Sequence, residues 1–179
     1  MSQLSSKVGS GSAAATPRYS ILQARLHWIV VGLVVLQFLI RGAMVETMAA
    51  VRAGDIPAIG AYLLANLHLL SGLVIGFLMA FRLYLRFTGP QGFYTTLPPT
   101  GSSRWLELAA RAVHSLFYLL LLSMPLSGLS AWYEVPGAAA VHHWQKMILL
   151  TLLILHVAAA MVHLWLLRDG VFQRILRLR

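Results

Sequence analysis

Four apolar stretches, at about 26–45, 61–81, 108–133 and 141–167, leave this chain little choice of solvent. Each holds about 20 or more residues, and at about 1.5 Å per helical residue that length crosses a hydrocarbon layer of about 30 Å. Burial inside a soluble core is the alternative, and composition removes it. Only 11% of the 179 residues are charged, 59% are hydrophobic and the mean hydropathy is +0.75. A soluble domain carries about 25% charged residues. The expected fold is an all-α membrane protein, a four-transmembrane-helix bundle.

The formal net charge of +9 invites a nucleic-acid reading, but the distribution of charge opposes it. With the N-terminus on the cytoplasmic side, Lys7, Arg18, Arg25, Arg82, Arg86, Arg104, Arg111, Arg168, Arg174, Arg177 and Arg179 share that side. Only Arg41, Arg52 and Lys146 face the other, an eleven-to-three division that follows the positive-inside rule. The excess therefore sets orientation, with both termini cytoplasmic, and offers contacts to anionic membrane lipid. Trp28, Trp105, Trp132, Trp144 and Trp165 all fall near the expected helix ends, beside Tyr62, Tyr84 and Tyr133, as interfacial aromatic belts require.

Residues 1–17 are rich in Ser, Gly and Ala and read as a disordered tail. The first apolar segment exceeds the core of a secretory signal, and Ala13-Ala14-Ala15 precedes it rather than follows it, so it is expected to stay as an anchor. Turn signals at Gly54 and Pro57, at Gly89-Pro90, Pro98-Pro99 and Gly101, and at Pro136-Gly137 mark the connections. No connection has room for a separate soluble domain, and no internal repeat is evident. The membrane domain is expected at 18–170, with a basic tail at 171–179.

His27, His68, His142 and His156 lie inside these apolar segments. An ionisable residue within a membrane helix is expensive and marks function by default. Neutral imidazole is a common axial ligand of haem iron. Topology puts His68 and the His142-His143 doublet toward the outer surface, with His27 and His156 toward the inner one. Along the fourth helix, fourteen residues return a side chain to within about 40° of its starting direction, whereas thirteen leave it about 140° away. His142 therefore shares a face with His156, and His143 does not. By depth His163 is as good a partner for His27 as His156 is, and His114 is a further candidate near the same end. Singly, any of these reads equally as a hydrogen-bonded interfacial or core histidine; as a constellation they point to two stacked haems. Gly32, Gly72 and Gly76 leave room for a flat macrocycle or for close helix packing, and Pro125 is expected to kink the third helix. The chain has no cysteine, which excludes disulfides, cysteine-ligated iron–sulfur clusters and covalent haem attachment.

The ordered set of residues is similar to the bacterial cytochrome b561 family of four-helix dihaem membrane proteins. It runs from Tyr19-Ser20-Ile21-Leu22-Gln23 and His27-Trp28 through His68, Ser71 and Gly72 to Arg82-Leu83-Tyr84-Leu85-Arg86. His114, Pro125 and Gly128 follow on helix three, then His142, Trp144, His156-Val157-Ala158-Ala159-Ala160 and His163 on helix four. The resemblance implies two non-covalent b-type haems, one with His27 and His156 as axial ligands and the other with His68 and His142, and it makes His114 a non-ligand neighbour of the inner haem. It further implies a bacterial inner-membrane protein passing single electrons from a periplasmic donor, superoxide in one branch or a redox protein, to ubiquinone. That activity resembles a superoxide:ubiquinone oxidoreductase. Bis-histidine ligation leaves no open metal position, so electron transfer is expected to be outer-sphere. Arg82, Arg86, Arg111 and His114 are candidates for propionate or quinone contacts, and Arg52 and Lys146 for steering an anionic donor. The long Ser/Ala tail and the stretch around Lys146 depart from the family pattern. Two rivals stand beside this reading: a cytochrome subunit anchoring a periplasmic dehydrogenase or hydrogenase, and a haem-free small transporter using the histidines as a proton relay or metal site.

Overall fold

The computed structural model describes residues 21–88 and 104–167, so the expected tails at 1–17 and 171–179 and the turn-rich connection at 89–103 lie outside the described residues. Four helices follow one another: α1 (Ile21–Ala53), α2 (Ile59–Thr88), α3 (Arg104–Trp132) and α4 (Ala138–Val162), the last running into a π-helical turn at His163–Leu167. All four are long and apolar enough to cross a membrane, and no strand occurs among the described residues.

α1 and α2 overrun, at both ends, the apolar stretches that announce them. α1 has 33 residues and α2 has 30, about 50 Å and 45 Å of helix against a hydrocarbon core of about 30 Å. Hydropathy marks only the part that must avoid water. The backbone keeps its own hydrogen bonds beyond that, carrying α1 past Glu46 and Arg52 and α2 past Arg82 and Arg86, until a local stop intervenes.

Those stops are visible on the side of the bundle that holds connections 54–58 and 133–137, here the loop side; the N-terminus of α1 lies on the opposite, tail side. Gly54 takes φ 79°, its N–H bonding Val51 O at 3.1 Å while Asp55 N–H reaches Ala50 O at 2.9 Å. This is a glycine-terminated helix end. α3 closes with the same pair of bonds, Glu134 N–H to Ala131 O at 3.1 Å and Val135 N–H to Ser130 O at 3.0 Å, but Glu134 holds the left-handed position at φ 55°. A non-glycine residue there is strained. Its carboxylate accepts Arg52 Nε at 2.9 Å, which links the two connections across the loop side.

α1 packs on α2, α2 on α3 and α3 on α4, whereas α4 packs closely only on α3. Gly76 permits the α2–α3 approach, since a Cβ there would lie 3.1 Å from Pro125 Cγ. The core joins Val30, Val34, Ile75, Met79, Leu120, Leu121, Leu149 and Leu152 at mid-height. Large apolar side chains elsewhere point outward, Leu39 at 76% and Phe77 at 72% exposure. An apolar surface of that extent has lipid as its solvent. Trp105, Trp144 and Trp165 are exposed near helix ends, where the aromatic belts are expected.

Two histidine layers as the candidate functional site

The mid-height core separates two layers of imidazoles. On α4, Leu149 and Leu152 lie between His142 and His156, whose fourteen-residue separation amounts to about 21 Å along the axis.

In the tail-side layer the ring centroids of His27 and His156 lie 6.5 Å apart, with the planes tilted by 58°. His156 also receives His114 edge-on at 5.6 Å and Phe117 at 5.4 Å, while Trp28 stands edge-on to His27 at 5.4 Å. Two imidazoles sharing one metal between their ring nitrogens, each about 2 Å from it, have ring centres roughly 6 Å apart. The His27–His156 and His114–His156 spacings are both of that order. α1 and α4 are not close neighbours in backbone packing, which leaves the span between these rings open to a flat ligand. His114 Nδ1 lies 2.6 Å from Ala110 O; because a carbonyl only accepts, Nδ1 carries the proton and Nε2 the lone pair.

The loop-side layer is built from hydrogen bonds. His142 Nδ1 donates to Met124 O at 3.1 Å and lies 3.1 Å from Ser127 Oγ. That leaves its Nε2 lone pair available, and a histidine that binds a metal through one nitrogen commonly donates the other N–H to a carbonyl in this way. Gly128 lets the ring approach α3, since a Cβ there would stand 3.1 Å from His142 Cε1. Across the layer, Gln37 Nε2 on α1 bonds both the carbonyl of His68, at 2.8 Å, and Ser71 Oγ, at 3.0 Å. Gly72 admits that side chain, as a Cβ would come within 3.2 Å of Gln37 Nε2. His68 Nδ1 is buried without a hydrogen-bond partner among the described residues, and a buried unsatisfied nitrogen is costly unless a bound group completes it. His143, one residue along, is exposed and has Lys146 Nζ 3.5 Å from its Nδ1.

The arginines separate by burial. Arg86 is buried, its guanidinium 5.6 Å from the centre of the Tyr118 ring. Arg82 is half-buried and Arg111 exposed. Arg52 is ion-paired with Glu134. Gln37, Ser123, Ser127 and Gln145 belong to the site but escape a search for metal ligands. The available signal was their polarity inside apolar runs, with Ser123 and Ser127 one helical turn apart on α3.

Among the described residues no group of three or more His, Cys, Asp or Glu side chains is placed to hold a metal ion directly. Pairs of imidazoles instead suit a metal that brings its own equatorial ligands, as haem does. Over residues 18–177 the sequence matches prokaryotic cytochrome b561. It is also 31% identical over 165 residues to cytochrome b562 of Cereibacter sphaeroides, an alignment covering 91% of this chain and 98% of that protein.

Proposed function

The chain belongs to the prokaryotic cytochrome b561 family, and from that premise we propose that it holds two b-type haems, one between His27 and His156 and one between His68 and His142. A membrane b-type cytochrome of electron transport is what the family itself establishes. The observation that carries the finer reading is the 6.5 Å separation of the His27 and His156 rings. Bound haem supplies a reversible one-electron couple at each layer.

The residues of the chain do the rest. Each histidine pair would hold a haem through its ring nitrogens and leave no metal position for substrate, so electron donors and acceptors would react at the edge of the site. Leu149 and Leu152, with the mid-height core, keep water out of the space between the layers. The distribution of basic residues supports a cytoplasmic tail side and a periplasmic loop side. At the loop side Lys146, beside exposed His143, gives an anionic donor such as superoxide a positive approach; the Arg52 charge is largely matched by Glu134. One electron leaves each superoxide as it becomes dioxygen. At the tail side, ubiquinone takes two such electrons and two protons to become ubiquinol. Arg86 and Arg82 there attract carboxylate or quinone oxygens, with Arg111 at the rim, and His114 Nε2 offers a lone pair that accepts or relays a proton.

The test is a reduced-minus-oxidised spectrum of the purified chain with haem quantification, followed by stopped-flow mixing with superoxide and ubiquinone. The reading expects two haems per chain and superoxide-driven quinone reduction by the isolated protein. Haem without turnover, together with a stoichiometric soluble partner on purification, replaces the oxidase by a membrane anchor. A spectrum with no haem bands removes the proposal.

A further inference from the structure

Ser123, Ser127 and Gln145 are not among the proposed haem ligands, yet they form one directed hydrogen-bond chain that ends on His142. Its direction follows atom by atom. Ser123 Oγ lies 2.7 Å from Leu119 O, a carbonyl that only accepts, so the hydroxyl proton points there. The Ser123 lone pairs then accept Gln145 Nε2 at 2.9 Å. With its amide nitrogen turned to Ser123, Gln145 presents Oε1 to Ser127 and takes that hydroxyl proton in a short bond. Ser127 Oγ is left as an acceptor toward His142 Nδ1, beside the Met124 carbonyl.

We propose that Gln145 is a positioning residue: acting through Ser127, it fixes the His142 proton on Nδ1 and the lone pair on Nε2, and thereby sets the reduction potential of the loop-side haem. The inference rests on the reading of His142 as a haem ligand. Acceptors on Nδ1–H make the opposite nitrogen a stronger donor, and a stronger donor favours the oxidised metal. Without Gln145 the Ser127 hydroxyl is released and turns to Met124 O, 3.0 Å away, where it competes with His142 Nδ1–H for that carbonyl. The tail-side layer has no counterpart: among the described residues no hydrogen bond holds a ring nitrogen of His27 or His156. The chain thus separates the potentials of the two haems, lowering the one that receives the periplasmic electron.

An equilibrium redox titration of the haem-loaded protein, followed by its absorption spectrum, tests this with Gln145→Leu, Ser127→Ala and Ser127→Thr. The midpoint of one haem component is expected to rise in the first two variants by about tenfold in the oxidised-to-reduced ratio, about 59 mV for one electron. The other component stays in place, and Ser127→Thr, which keeps the hydroxyl, restores the original value. Should Gln145→Leu fail to accumulate, Ser127→Ala carries the same reading. Midpoints that stay put, fall, or move equally in both components overturn the proposal. Haem content of His142→Ala distinguishes the two levels of failure: if that variant keeps both haems, the ligand assignment itself is wrong, whereas loss of one haem beside inert Gln145→Leu and Ser127→Ala variants sinks only the role of the chain.

Discussion

The two histidine layers reach a similar end by different means. On the loop side, hydrogen bonds fix the ring of His142, through Met124 and Ser127, and the backbone of His68, through Gln37. On the tail side, His156 sits among rings, with His27, His114 and Phe117 around it and no hydrogen bond to its nitrogens among the described residues. Hydrogen bonds specify direction and tautomer, whereas ring contacts specify position and leave the imidazole free to turn. The loop-side layer is therefore expected to hold one geometry, and the tail-side layer to adjust around what it binds.

The largest effect separates the layers outright. His68→Ala and His142→Ala are each expected to lose the same half of the bound haem, His27→Ala and His156→Ala the other half, as measured by haem per protein; a single variant that empties both layers breaks the comparison. Next comes Gly128→Ala. The added methyl would press on His142 Cε1 from 3.1 Å, and displacing a ligand from its supporting shell weakens metal affinity about 10–100-fold. Haem release to an apo-acceptor should accelerate for one component only.

A smaller pair of changes sharpens the contrast. Gln37→Leu removes the bonds to His68 O and Ser71 Oγ, at about 0.6–1 kcal/mol each, and should ease loss of the loop-side haem in a detergent melt. Phe117→Leu removes an aromatic contact on His156 worth about 0.5–1.5 kcal/mol, and should act on the tail-side haem alone. Interchange of those two outcomes would show that the layers are not separately built. The smallest effect is expected of Glu134→Gly. It relieves a left-handed non-glycine residue but surrenders an exposed ion pair with Arg52 worth about 0.2–1 kcal/mol. The melting temperature should move by a few degrees at most, with both haems kept.

How much of this was legible in the sequence depends on the length scale. Four membrane helices could be read from hydropathy, because a span must avoid water along its whole length. Their ends could not, since α1 runs on to Ala53 and α2 to Thr88 through charged residues that only the membrane interface accommodates. The face of His142 followed from helical phase, and the structure turns it toward Met124 on α3 while His143 stays exposed. Which of His156 and His163 stands across from His27 did not follow from depth, because an unbroken α-helix would put both on nearly one face; the contact at 6.5 Å is a tertiary fact. Gln37, Ser127 and Gln145 were illegible for a further reason. A polar residue in an apolar run announces that it has a partner, but the partner lies on another helix.

Haem stoichiometry of the purified chain, compared with His142→Ala and His143→Ala on the same day's preparations, tests the account most directly. Two haems per chain in the parent, one in His142→Ala and two in His143→Ala is the predicted result. A parent with fewer than two haems, or a His143→Ala variant that loses haem while His142→Ala keeps it, would contradict the assignment of the two layers.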